Sequence, residues 1–294
     1  MFERRQLIAG GVTWLVAVAA YWPLDPQAPE WVELLILWAV VLWVPLGFGL
    51  YLPGRIPLGT WLLPGLALGV GFWLPPSWLA GLLALPWLAL GLGALLRHAQ
   101  LRNHEGRFFT AALLFWNVAG AWAIAHALGW NPLGFAPIIV LLTAAHFHYT
   151  GFLLLLLLAL AYRDAPTPWL KALGYFTVAS IAAVALAITL TQLSGWAGGE
   201  ALSGAAMALA GSLAAGLYWQ RSHQRPAFTR WCWRLGSLLL LGGMALALGY
   251  ALRAVVPIPG LDIPNMYAWH GTGNVVGLGL LVVGWGRVAW RGAN

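Results

Sequence analysis

Apolar stretches of about twenty residues, bounded by charge or proline, recur along nearly the whole chain. They lie near residues 6–24, 31–51, 59–75, 77–97, 108–129, 135–162, 168–193, 201–219, 231–251 and 266–290. A helix of about twenty apolar residues crosses the hydrocarbon core of a bilayer. A water-facing surface is excluded by charge: 8% of the 294 residues are charged and 61% are hydrophobic, whereas about a quarter of a soluble domain is charged. The reading is an all-α, polytopic transmembrane helix bundle of about ten spans, a single transmembrane domain over residues 1–294 with no soluble domain. The runs 59–75 and 77–97 meet at Pro75-Pro76, so two full crossings and a partly re-entrant hairpin both remain open there.

The net charge of +7 reads as orientation rather than affinity for nucleic acid, because Lys and Arg collect in cytoplasmic loops. With the N-terminus inside, Arg4, Arg5, Arg55, Arg97, Arg102, Arg107, Arg163, Lys171, Arg221, Arg225, Arg230, Arg234, Arg287 and Arg291 all fall on the cytoplasmic side. Only Arg253 falls outside, where Asp25, Glu30, Glu200 and Asp262 also lie. Both termini are then cytoplasmic. The first run is too long, and lacks the small-residue site, for a cleavable signal peptide. The loops Arg97–Arg107 and Gln220–Arg230, with His98, His104 and His223, read as topology signals facing anionic lipid. Trp22, Trp31, Trp61, Trp130, Trp169, Trp196 and Trp219 flank the spans and suit interfacial anchoring. The single cysteine, Cys232, excludes an internal disulfide and a cysteine-based metal site.

Ionisable or strongly polar groups inside the hydrocarbon region are costly and mark functional candidates. Those present are Glu33, Asn117, His126, His146, His148, His270 and Asn274. With a rise of about 1.5 Å per residue, His146 and His148 lie roughly 15–20 Å down the sixth span, and Asn117 reaches a similar level. Two positions apart on a helix point about 200° away from each other, so His146 and His148 serve opposite faces rather than one ion together. A ligating imidazole is oriented by a hydrogen bond to its second nitrogen, for which Tyr149 and Thr143 are local candidates. His270 and Asn274, four apart, share a face. Gly273 and Gly277 beside them suit close helix packing, and a planar cofactor or lipid chain is the alternative use of that room.

The stretches Pro45-Leu46-Gly47, Leu142 to Phe152 (LTAAHFHYTGF) and His270-Gly-Thr-Gly-Asn274 resemble the YndJ-like family of bacterial membrane proteins, in order and spacing, over most of the chain beyond about residue 30. The resemblance implies a multi-pass protein of the bacterial cytoplasmic (inner) membrane, and by itself no reaction. Ala145-His146-Phe147-His148-Tyr149 is also similar to a stretch of haem–copper oxidase subunit I. That likeness implies His146 and His148 as axial ligands of haem b. The histidine pair for copper and the oxidase His-plus-Tyr pattern are missing.

Two functions follow as expectations. In the first, His126, His146, His148 and His270 bind a metal ion (zinc, iron or copper), or His146, His148 and His270 hold haem. Glu33, Asn117 and Asn274 then orient ligands or move protons in redox or metal-assisted chemistry on a lipophilic substrate. In the second, a proton-coupled transporter or lipid-binding protein uses the histidines as a relay. A purely structural role, the histidines bonding helix to helix, is the third possibility. Membrane lipids are the expected partners. Sequence leaves the oligomeric state and the choice between enzyme and transporter open.

Overall fold

The computed structural model describes residues 4–52, 57–100, 103–196, 198–253 and 256–291, the side chains of Arg4 and of residues 287–291 excepted. Of the basic residues used for orientation, Arg55 and Arg102 lie outside the described residues, as do the side chains of Arg4, Arg287 and Arg291. Among the described residues the long elements are ten continuous helices: α1 (Arg4–Ala20), α2 (Pro29–Tyr51), α3 (Leu58–Trp73), α4 (Trp78–His98), α5 (His104–Leu128), α6 (Pro137–Asp164), α7 (Pro168–Ser194), α8 (Gly198–Ser222), α9 (Ala227–Ala251) and α10 (263–291). They answer one for one to the ten apolar runs. Seven, α2 and α4 to α9, are long and apolar enough to cross a membrane, and the chain is a multi-pass membrane protein. At 17 and 16 residues, α1 and α3 would reach only about 25 Å against a core of about 30 Å.

Local chemistry sets the boundaries. Ser77, Asn103, Thr167 and Asp262 each accept a backbone N–H in the first turn of α4, α5, α7 and α10, using up a donor that would otherwise lack a partner. Gly129 and Gly195 close α5 and α7 in the left-handed conformation, at φ 69° and 74°, where a side chain is penalised. Buried hydroxyls turn back on their own helices, as Thr177 does to Leu173 and Ser203 to Gly199, both at 2.8 Å.

Three helices widen into π turns, at Ala39–Trp43 in α2, Phe147–Leu154 in α6 and Met266–Gly271 in α10. For α2 the cause is legible. Pro45 lacks an N–H, and its ring conflicts with the carbonyl four residues back, that of Val41. Gly10 of α1 sits so close to that carbonyl that a Cβ would overlap it.

The chain divides into two compact units, Met1–Leu160 and Ala161–Asn294. The core of the first is aromatic. Trp61 stacks on Trp116 at 5.7 Å, Trp116 meets Trp87 at 5.1 Å, and Phe48 meets Trp61 at 5.0 Å. Trp61 is 3% exposed, which corrects its assignment as an interfacial anchor: one face of α3 turns it inward onto α5. Trp22, Trp130, Trp169, Trp196 and Trp219 are exposed, as anchoring requires.

In the second unit α9 and α10 meet through glycines. A Cβ on Gly236 would come within 2.7 Å of the Gly277 carbonyl, and one on Gly277 within 3.0 Å of the Gly236 carbonyl. Gly277 is thus a packing glycine. Gly236→Ala is expected to cost about 1–3 kcal/mol, because a backbone, not a flexible side chain, would have to yield. Gly242, with nothing within 4 Å of its Cβ position, tolerates the same change. Thermal unfolding of the two variants in detergent measures the difference.

Charge segregates within each unit. In the first, Arg97 and Arg107 lie at one end with Glu105, and Asp25, Glu30 and Glu33 lie at the other. In the second, Lys171, Arg221, Arg225 and Arg230 share one end with Asp164, and Glu200, Asp262 and Arg253 lie at the opposite one. Arg253 is the basic residue out of place, and its position has a reason: it donates to Glu200 at 2.7 Å and to the Tyr250 carbonyl at 3.0 Å, and lies 4.1 Å over the Tyr250 ring.

Candidate functional site

The acidic end of the first unit brings two of the sequence candidates together. Glu33, one turn into α2, places Oε1 3.0 Å from Nε2 of His126 in the last turn of α5. Its other oxygen accepts the Tyr21 hydroxyl at 2.8 Å, from the segment just past α1. The Glu33 and His126 side chains are 13% and 19% exposed, so Glu33 is not simply solvated at an interface. Phe72 of α3 closes on the His126 ring edge-on at 5.4 Å, and Trp73 meets Tyr21 at 5.7 Å. A carboxylate, an imidazole and a phenol from three segments thus share a lining of aromatic rings. The carboxylate has both oxygens engaged, one by each neighbour.

Deeper in the unit, α6 turns His148 and His146 to different surroundings, as the two-residue offset requires. His148 is fully buried and His146 is exposed. Trp87 of α4 donates its indole N–H to Nε2 of His148 at 2.9 Å. An indole N–H can only donate, so Nε2 must carry the lone pair and Nδ1 the hydrogen. That hydrogen is given to the Ala144 carbonyl at 2.8 Å. His148 is therefore a neutral imidazole with both nitrogens used. His146 has Nδ1 2.8 Å from the Leu142 carbonyl. The expected orienting groups do something else: Thr143 donates to the Ile139 carbonyl at 2.7 Å and Tyr149 to the Leu35 carbonyl at 2.6 Å. The Tyr149 bond ties α6 to the turn of α2 that precedes its π segment. Asn117 donates to the Leu113 carbonyl at 2.7 Å, and its buried oxygen packs against Gly91 of α4.

The second unit repeats the pattern. His270, in the π turn of α10, has Nδ1 2.8 Å from the Gly243 carbonyl of α9. The carbonyl only accepts, so Nδ1 carries the hydrogen, and Nε2 accepts the Asn274 amide at 3.1 Å. His270 and Asn274 do share a face, and Gly243 makes room for Asn274, which a Cβ there would overlap.

His126, His148 and His270 each have Nε2 engaged already, so none of the three fits a metal ion or haem without losing that partner. A ligand on His148 would displace Trp87 from the one lone pair, and a ligand on His270 would displace Asn274. His126 points its Nε2 at Glu33. No group of three or more His, Cys, Asp or Glu side chains among the described residues is placed to hold a metal. Nor is there slack beside the π segment of α6, where a Cβ on Gly151 would come within 2.6 Å of Phe115.

Two partners escaped the sequence reading. Trp87, 61 positions before His148, carries no local signal. Tyr21 carries a weak one, a hydroxyl at the end of an apolar run and twelve residues before Glu33.

No curated protein and no solved structure matches the chain. The family model described as YndJ-like protein matches residues 34–278, which takes in Trp87, His126, His148, His270 and Asn274 and begins one residue after Glu33. The chain belongs to the YndJ-like family.

Proposed function

We propose that this protein is a proton-coupled membrane protein in which Glu33 and His126 take up and release a proton as a lipophilic molecule is bound or passed. The observation that carries the reading is the Glu33–His126 contact at 3.0 Å, backed by Tyr21 and walled by aromatic rings. Ionisable pairs at such positions mark proton paths, because solvent does not stabilise their charge and a partner must. The remaining buried histidines, His148 and His270, act as neutral fixtures that tie α6 to α4 and α10 to α9. The segregation of basic and acidic ends within each unit supports a cytoplasmic location for the basic ends and both termini, in the inner membrane of a bacterium. The Glu33 site then opens toward the outer face.

The test is proton movement into proteoliposomes of bacterial polar lipid, with the potential clamped and a pH dye trapped inside. Protein-dependent acidification under an inward gradient is expected, and His126→Gln should remove most of it. Acidification no greater than in empty vesicles, or an unchanged rate in a folded His126→Gln protein, overturns the proposal.

A further inference from the structure

The α8–α9 connection of the second unit holds four arginines, two of which reach the Asp164 carboxylate. Arg225 bonds Asp164, and the Arg221 guanidinium lies 3.7 Å from the same carboxylate. Arg221 also donates to the Ala161 and Ala165 carbonyls, at 2.7 and 3.2 Å. Arg230 donates to the Arg225 carbonyl at 3.3 Å, and its Nε is buried with no partner. Arg234 donates from Nε to Ser222 at 3.2 Å and lies 3.1 Å from Nδ1 of His223. Four guanidinium groups against one carboxylate leave this group with a charge of +3, His223 counted as neutral.

Aromatic rings hold the cations in place. The Arg225 guanidinium lies 5.1 Å over Trp233 and 5.8 Å from Trp285, and Trp285 is itself fixed by donating to the Tyr218 hydroxyl at 2.8 Å. The Arg234 guanidinium lies 5.3 Å over Trp219. A guanidinium resting on a ring face keeps its N–H edge for another acceptor and matches phosphate in a fork that an ammonium cannot offer. Depth is fixed by the helices. Both α8 and α9 have 25 residues, about 37 Å of helix against a hydrocarbon core of about 30 Å. Their joined ends therefore stand at headgroup level. Phe228 and Trp231, 51% and 62% exposed, alternate with the basic residues along the first turns of α9, as interfacial anchors do.

We infer that Arg221, Arg225, Arg230 and Arg234 form a binding site for the phosphate of an anionic phospholipid headgroup. Arg234 and Arg230 present the fork, Arg225 and Arg221 supply the field, and Asp164 keeps those two in register. The exposed Phe228 and Trp231 lie alongside the acyl chains of the bound lipid.

The full chain in detergent, titrated with short-chain phosphatidylglycerol or phosphatidylcholine and read by native mass spectrometry, tests this. The first phosphatidylglycerol is expected to bind at least about tenfold tighter than phosphatidylcholine, because basic residues at a membrane surface attract anionic headgroups. Arg225→Gln with Arg234→Gln should abolish that preference. Because Arg225 also holds Asp164, Arg234→Lys is the safer variant: it keeps the charge and loses the fork, and should weaken the first lipid several-fold at an unchanged melting temperature. Arg97→Gln, at the basic end of the other unit, should leave the preference intact. Equal affinity for the two lipids overturns the inference, as does wild-type affinity in folded Arg234→Lys and double-variant proteins. Complete displacement of the lipid by equimolar inorganic phosphate would show a site for the free ion and overturns it too.

Discussion

Replacing Glu33 with glutamine is expected to abolish proton-coupled flux in proteoliposomes while leaving the helix content and melting temperature close to wild type. Glutamine has nearly the shape of glutamate and still offers an oxygen to the Tyr21 hydroxyl, so the packing under Phe72 and Trp73 survives. It cannot ionise, and His126 loses the carboxylate that it contacts at 3.0 Å. The loss should be at least about tenfold, since positioned proton-transfer groups contribute about a hundredfold or more. Two milder variants bracket it. Glu33→Asp withdraws the carboxylate by one methylene, so it cannot reach His126 and Tyr21 at once, and a partial rate is expected. Tyr21→Phe removes one donor to the carboxylate and should slow flux less than Glu33→Gln. A folded Glu33→Gln protein with wild-type flux contradicts this ordering.

The second large effect concerns stability. Trp87→Phe strands the Nε2 lone pair of a fully buried His148, and His148→Leu strands the Trp87 N–H. Each should cost about 1–3 kcal/mol, the desolvation penalty of a buried polar group left unpaired. The double variant replaces both partners by apolar groups and should recover part of the loss. The recovered coupling is expected near 1 kcal/mol, because hydrogen bonds between membrane helices are modest, about 0.6 kcal/mol on average and up to about 1.7. Unfolding of the four proteins in one detergent gives the cycle. An axial-ligand role for His148 predicts a different pattern: Trp87→Phe would be benign, and His148→Leu would bleach a visible absorption band.

What the sequence revealed follows from which interactions are local. The helices were legible because a spanning run is written in consecutive residues, and the caps at Ser77, Asn103 and Gly129 sit beside the runs they close. The shared face of His270 and Asn274, and the separation of His146 from His148, follow from helix geometry alone. Partners across the fold were not legible. Trp87 meets His148 and Tyr149 meets Leu35 because helices far apart in sequence pack together. Trp61 was misplaced because a tryptophan near a span end looks the same whether it faces lipid or a neighbouring helix. The break between the two compact units falls in the apolar run from Leu153 to Ala161, where no change of composition marks it. The π segment of α6 likewise has no proline like Pro45 to announce it. Polar residues stood out as candidates by depth, yet depth alone does not tell a histidine that binds something from one that is already satisfied.

The direct measurement is nitrogen NMR of imidazole-labelled protein in bilayers across a pH series, with Glu33→Gln alongside. His148 and His270 are expected to keep hydrogen on Nδ1 and a lone pair on Nε2 throughout. Nε2 of His126 is expected to show a hydrogen bond to the Glu33 carboxylate that is altered when Glu33 is replaced. A His126 signal indifferent to Glu33→Gln, or a His148 signal that shows a bound metal or hydrogen on Nε2, contradicts this assignment.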